Sequence, residues 1–347
     1  MKINTNVQSL IISHSSDIDQ RLDRFVKKYL PNAPLGGIYK MLRTGKIKVN
    51  GKKKPETYMI ELGDEIAFWL TDDELQSLTQ EKMAQREDGI KRENLSNEHK
   101  IILEVLYEDD FLMVINKPSG MNVHPGDHKT QERSLIECVQ DMLGTQYNSL
   151  TFKPALVHRI DRDTSGCLLI AKEKSTLESL LVSLQSHSIE KIYHTVIRGK
   201  PREIKGTFRE RLLRVENARD EAKVRVDEAG QTAVTHYEVI KSFVPLGKHE
   251  STRDNVLSLL ECRIETGRTH QIRVHLSYHN CPIIGDQAYG DRSINSYIRR
   301  QYEVNRQLLH AYSLSFKHPK TGKRLQVIAP YPSDFKRIIS DSSEVQS

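Results

Sequence analysis

The chain is short of cysteine and has no long apolar run, and each shortage excludes a class of protein. Its four cysteines, Cys138, Cys167, Cys262 and Cys281, are scattered over 347 residues without paired spacing, which argues against a disulfide scaffold or a zinc ribbon. They read as reduced thiols of a cytoplasmic protein. No stretch approaches the ~20 apolar residues of a membrane span, and no charged-then-apolar leader pattern opens the chain. Neither a P-loop nor a dinucleotide glycine fingerprint is found, and no internal repeat is visible. No cofactor, no metal and no membrane partner are therefore expected.

What is present is uneven charge. The net charge of +6 is moderate, so its distribution has to identify the partner. Between Arg21 and Lys54 stand Arg21, Arg24, Lys27, Lys28, Lys40, Arg43, Lys46, Lys48, Lys52, Lys53 and Lys54, against the single acid Asp23. Such a cluster is either a solvated basic face or the footprint of a polyanion binder. Periodicity predicts a helix over Asp17 to Leu30, a second over Leu35 to Thr44 ended by Gly45, and a strand over Lys46 to Val49. The turn Asn50-Gly51 follows, then strands at Thr57 to Ile60 and Asp64 to Leu70. Thr71 to His99 turns acidic, carries no aromatic residue and has no clear apolar stripe, the composition of a flexible or marginally helical linker. Beyond it, short β-rich runs alternate with helices at Ser134 to Leu143 and Lys174 to His187, which suggests an α+β domain on a mixed sheet.

The most concentrated chemistry lies in Val157-His158-Arg159-Ile160-Asp161-Arg162-Asp163-Thr164-Ser165-Gly166. A strand, a polar turn and a second strand would hold Asp161 at the end of a rigid element. The same residues also suit a self-bonded polar turn. A metal site from His158, Asp161 and Asp163 lacks a second ligand cluster. A glycosidase pair is a poor fit, because carboxylates two apart on a strand lie only ~7 Å apart along it.

This run resembles the signature of the RluA family of pseudouridine synthases, His-Arg-Leu-Asp, two variable residues, then Thr-Ser-Gly, with Ile160 replacing leucine. Ile115 to Gly120 with Val123-His124-Pro125, Lys191-Ile192-Tyr193, Thr266 to His275, Leu308 to Ala311 and Phe316 to Pro319 resemble further family motifs in order. The resemblance implies Asp161 as nucleophile, Arg273 as its pairing arginine, Tyr193 as the active-site tyrosine, Arg159 as a side chain filling the gap left by a flipped base, and Leu309 as an apolar wall. Thr269 is expected to cap the helix that carries Arg273. Arg43 to Gly51 and Leu62 to Ile66 resemble the S4 RNA-binding domain, which makes Arg21, Arg24, Lys28, Lys40, Arg43, Lys46 and Lys48 candidate RNA contacts.

The expected organisation is an S4-like domain at 17–70, an acidic linker at 71–99 and a synthase domain at 100–335, its mainly antiparallel mixed sheet enclosing a central cleft. RNA is the implied partner, with large-subunit ribosomal RNA favoured over transfer RNA, and a monomer is expected. A non-catalytic RNA-binding assembly factor is the rival reading. The complete set Asp161, Tyr193 and Arg273 speaks against it.

Overall fold

The computed structural model describes residues 7–79, 102–125, 133–215, 223–245, 256–340 and 342–344. Packing divides the chain into two units. The first holds Met1–Ile101, Leu143–Pro154 and Glu173–Ser175, and the second holds the rest.

In the first unit, β1 (Val7–Ile11), α1 (Leu22–Tyr29), α2 (Leu35–Thr44), β2 (Ile47–Val49), β3 (Glu65–Trp69) and α3 (Asp72–Thr79) follow in order. Leu22, Phe25 and Val26 of α1 close on Ile38, Leu42, Ile47, Ile66 and Phe68 to form one core. α1 begins later than its periodicity predicts. Asp19 adopts a left-handed conformation (φ 54°), and the Leu22 and Asp23 N–H groups that open α1 donate to the Tyr58 and Glu56 carbonyls and not to a preceding helical turn. Asn50 and Gly51 both have positive φ, as a type I′ hairpin turn requires.

Three expectations for this unit need correction. Thr57 to Ile60 is no strand and makes only an isolated bridge between Met59 and Arg21. The third strand of the sheet is β1, antiparallel to β3, drawn from a stretch whose alternation is too weak to read. The acidic segment also opens with a docked helix, because Thr71 and Glu74 form a reciprocal capping box and Leu75 enters the core. The remainder of the expected linker, 80–99, lies outside the described residues. The excursion 143–154 is tied in by the buried Asp17 carboxylate, which accepts from Ser149 Oγ, the Leu150 and Thr151 amides and Thr151 Oγ1.

The second unit contains β4 (Glu104–Glu108), β5 (Leu112–Lys117), α4 (Leu135–Leu143), β6 (Ala155–Leu156), β7 (Ser165–Ala171), α5 (Lys174–Gln185), β8 (Glu190–Arg198), β9 (Lys205–Val215), β10 (Lys223–Val226), β11 (Gln231–Pro245) and β12 (Leu257–Ile264). Then come α6 (Gln271–Tyr278), α7 (Arg292–Tyr302), β13 (Leu309–Lys317), β14 (Arg324–Ile328), α8 (Ser333–Ser340) and β15 (Ser342–Glu344); α4 and α5 reach, by their end residues, into the first unit. Their sheet runs in the order β10-β9-β11-β12-β8-β13-β7-β5-β4, with β14, β15 and β6 attached to β13, β11 and β7. Neighbours are antiparallel except β13 and β7, which pair in parallel through His310–Ser165 and Ala311–Gly166.

That parallel pair places the site. β7 is buried along its whole length, so the polar turn before it emerges at a fixed point beside β13 and, beyond it, β8. Gly166 makes the close approach possible: φ is +111°, and a Cβ there would stand 2.2 Å from the Ala311 carbonyl oxygen.

Candidate active site

The turn from Asp161 to Thr164 is held from below by two buried cations. Lys117, fully buried, donates from Nζ to the carbonyl oxygens of Arg162 (2.6 Å), Pro118 (2.7 Å) and Met121 (2.9 Å). Burial pushes its pKa down to about 7, against the opposing pull of Asp163. Arg306 donates to the Asp163 carbonyl while making a two-point pair with Asp334. The turn closes through Thr164 N–H to the Asp161 carbonyl. The reach of these cations to the turn was not apparent in the sequence, since the Arg162 and Asp163 carbonyls they bind lie 45 and 143 residues away along the chain.

Asp161 meets Arg273. Nη1 of Arg273 donates to Asp161 Oδ2 at 2.9 Å. The other side of the guanidinium is gripped by Asp286, fully buried, through Nε to Oδ2 at 2.7 Å and Nη2 to Oδ1 at 3.0 Å. Burial disfavours the arginine's charge, but the Asp286 hydrogen bonds and the charges of both acids hold its pKa above the usual value. Asp286 Oδ1 also accepts from the Ala288 and Tyr289 amides, so its own position is fixed. One arginine shared between two carboxylates leaves the cluster net negative, and the partly exposed Asp161 is its open end. Sequence reading missed Asp286. Its signal was an acid closing the otherwise apolar run Pro282-Ile283-Ile284-Gly285.

Arg273 sits on α6, of which Gln271 to Leu276 are buried. The cap of this helix differs from expectation. Its N-cap is His270, in a left-handed conformation with no side-chain capping bond, and not Thr269. Gln271 does the organising instead: its Oε1 accepts from Thr266 Oγ1 and the Arg268 amide, while Nε2 donates to the Val234 carbonyl and Thr235 Oγ1.

Arg159, Asp161, Tyr193, Arg273 and Leu309 line one half-open pocket. Every site residue expected from the catalytic motifs is thus brought together. Burial, then the Asp161 charge, raises the Tyr193 pKa, so its phenol stays protonated at neutral pH and its ring is what it offers. Leu309 is buried, while Arg159 is exposed. Thr164 Oγ1 also lines the pocket, buried and without a hydrogen-bond partner among the described residues. His158 does not face Asp161 as a metal ligand would. Its Nε2 accepts from the Leu169 amide.

Several histidines are held neutral. Burial lowers His158 to about 3 and His194, His275 and His310 to about 4, against ~6.5 in an unfolded chain. A base lowered by folding contributes stability that is complete above ~6.5 and is lost as pH falls towards 4, because the unfolded chain then binds more protons. Thermal unfolding followed from pH 7.5 to 4.5 is therefore expected to show a steep fall in Tm between about 6.5 and 4.5. A flat profile would contradict the burial of these rings.

In the first unit the candidate RNA contacts separate into two groups. Arg21 is paired with Asp23, Lys28 with Gln20 and Lys46 with Glu74. Lys40 and Arg43, by contrast, line an open groove with Tyr39, Lys53 and Lys54. Arg24 is exposed, and Lys48 stands 5.1 Å over the Trp69 ring.

Comparison with known proteins places this fold and its pocket among the RNA-modifying synthases. Residues 111–278 match the RNA pseudouridylate synthase family. The chain is 33% identical over 341 residues to ribosomal large subunit pseudouridine synthase C of Buchnera aphidicola subsp. Schizaphis graminum, covering 98% of this chain and 99% of that one. It is 33% identical over 340 residues to the protein of the same name in Escherichia coli K12, covering 98% of both. Among solved structures, human RNA pseudouridylate synthase domain containing 1 superposes with a TM-score of 0.55 at 22% identity, over 72% of this chain and 92% of its own, a likeness of fold. The chain belongs to the RluA family of pseudouridine synthases, enzymes that isomerise uridine in RNA.

Proposed function

We propose that the enzyme acts on uridines of large-subunit ribosomal RNA, in the manner of the synthase C relatives it matches over nearly its full length, with Asp161 as its nucleophile. The observation that carries the assignment of Asp161 is its 2.9 Å bond to Arg273 at the base of the pocket walled by Tyr193 and Leu309. Uracil must leave ribose through N1, turn, and rejoin through C5, so the base has to leave its stack, at a cost of a few kcal/mol. Arg159 offsets that cost by entering the vacated space. Tyr193 stacks on the extruded base and Leu309 packs against its edge. The carboxylate attacks ribose C1′ or uracil C6, and on either route the Arg273 guanidinium holds it in place for the attack.

The first unit supplies RNA affinity in this reading, with Lys40 and Arg43 in its open groove meeting phosphates. A monomer working in the cytoplasm suits a ribosomal RNA substrate. The reading is tested by mapping pseudouridine across ribosomal and transfer RNA in cells with and without the gene. Loss at large-subunit uridines is the expected result. Loss confined to transfer RNA would assign the enzyme to that branch, and no loss anywhere would favour the non-catalytic assembly factor.

A further inference from the structure

A second cleft adjoins the reactive pocket and holds an unusual cation. It is lined by His158, Lys191, Glu265 and Arg268 among others, and it shares Arg159, Tyr193, Gly267 and Arg268 with the pocket around Asp161. Lys191 is only 7% exposed. Among the described residues its ammonium has neither a hydrogen-bond nor an ion-pair partner, and burial lowers its pKa with no acid opposing the effect. Lysine is almost never buried unpaired, because desolvating its charge is costly. The other two deeply buried lysines follow the rule: Lys117 has its three carbonyls, and Lys172 has Glu108 and the Asp109 carbonyl.

The rest of the cleft matches that unmet charge. His158 Nε2 accepts from Leu169, which leaves the proton on Nδ1, and Nδ1 lies buried against the Arg159 main chain, short of a well-formed hydrogen bond among the described residues. Arg159 and Arg268 add two exposed cations at the rim. The one carboxylate lining the cleft, Glu265, is engaged by His236 Nε2 at 2.7 Å. Donors outnumber acceptors, so the cleft fits an anion.

We propose that this cleft is a subsite for a backbone phosphate of the RNA strand beside the reacting uridine, with the Lys191 ammonium as its principal contact. Position selects an RNA phosphate over a free anion. Lys191 and Tyr193 are alternate residues of β8 and so share a face of the strand, ~7 Å apart along it. A strand whose base lies on Tyr193 passes its neighbouring phosphate over Lys191. The inference rests on the base being turned into the Asp161 pocket, and not on which uridine is chosen.

The test uses full-length Asp161→Asn protein, which binds without turnover, titrated with a large-subunit ribosomal RNA transcript between 50 and 200 mM KCl. Adding Lys191→Met, or Lys191→Gln as a second variant, is expected to weaken binding and to reduce the salt slope by about 0.7, the value for one single-strand phosphate contact. Lys191→Arg is expected to keep the slope. The melting temperature of the RNA-free Lys191→Met protein should not fall, because an uncompensated charge has been removed. Unchanged affinity and slope in both neutral variants would overturn the subsite. Full isomerising activity in Asp161→Asn alone would instead overturn the nucleophile, so the two readings fail separately.

Discussion

Asp161→Asn protein is expected to bind RNA with nearly wild-type affinity and to lose isomerisation by ~10⁴-fold or more, the scale on which removal of a reacting group acts. Asparagine keeps the shape of the side chain, and its Oδ1 can still accept from Arg273 Nη1, so the pocket should survive. The lost element is the anionic electron pair that forms the bond to substrate. When C5 takes the ribose, its hydrogen passes to solvent. Tritium release from transcripts carrying C5-labelled uridine therefore reads turnover directly. Near-normal release from the variant would remove Asp161 from the mechanism, whereas loss of release together with loss of RNA binding would point to a damaged fold.

Asp286→Asn carries the second large effect. Asp286 accepts four hydrogen bonds, two from Arg273 and two from the Ala288 and Tyr289 amides. An amide in its place must turn an NH₂ group towards one of these donors. Breaking a buried ion pair from one side costs about 3–5 kcal/mol, so a fall in melting temperature is expected. The consequence for chemistry is separate. Arg273 would keep Asp161 as its only charged partner, with its aim loosened, and a misplacement of about 1 Å reduces turnover by ~10²-fold. A fall in kcat with little change in KM, measured well below the lowered melting point, is the outcome that marks Asp286 as a positioning residue. An unchanged kcat in a less stable protein would leave it a purely structural one.

How much of this was legible in the sequence follows from the distance over which each residue acts. The Asp161 turn could be read because its residues lie together and face a strand of continuous apolar character, Cys167 to Ala171. Tyr193, Arg273 and Leu309 could be placed only through family motifs. Nothing in a nine-residue strand such as Leu309–Lys317 states that it will lie between two strands drawn from much earlier in the chain. The roles of Asp286 and Lys117 were not legible for a related reason, since a buried charge is identified by what it meets in the fold, and Asp161 and its turn, which they support through Arg273 and the Arg162 carbonyl, are remote in sequence. β1 was missed because its burial is nearly absent. The docking of α3 was missed because one leucine, Leu75, and a capping box suffice to dock a helix whose composition reads as a marginally helical linker.

The central place of β13 also bears on how the protein is made. β13 joins β8 to β7, yet it is translated after nearly all the other strands of the sheet. Until it emerges, the halves carrying Tyr193 and Asp161 have no shared edge, and each exposes an unpaired strand. Pairings at such sequence separation are slow, because loop closure must precede their reward, and open strand edges invite association with other chains. A nascent chain stalled before Leu309 would therefore be catalytically silent and prone to aggregate, so that competence arrives with β13 instead of growing gradually along the chain.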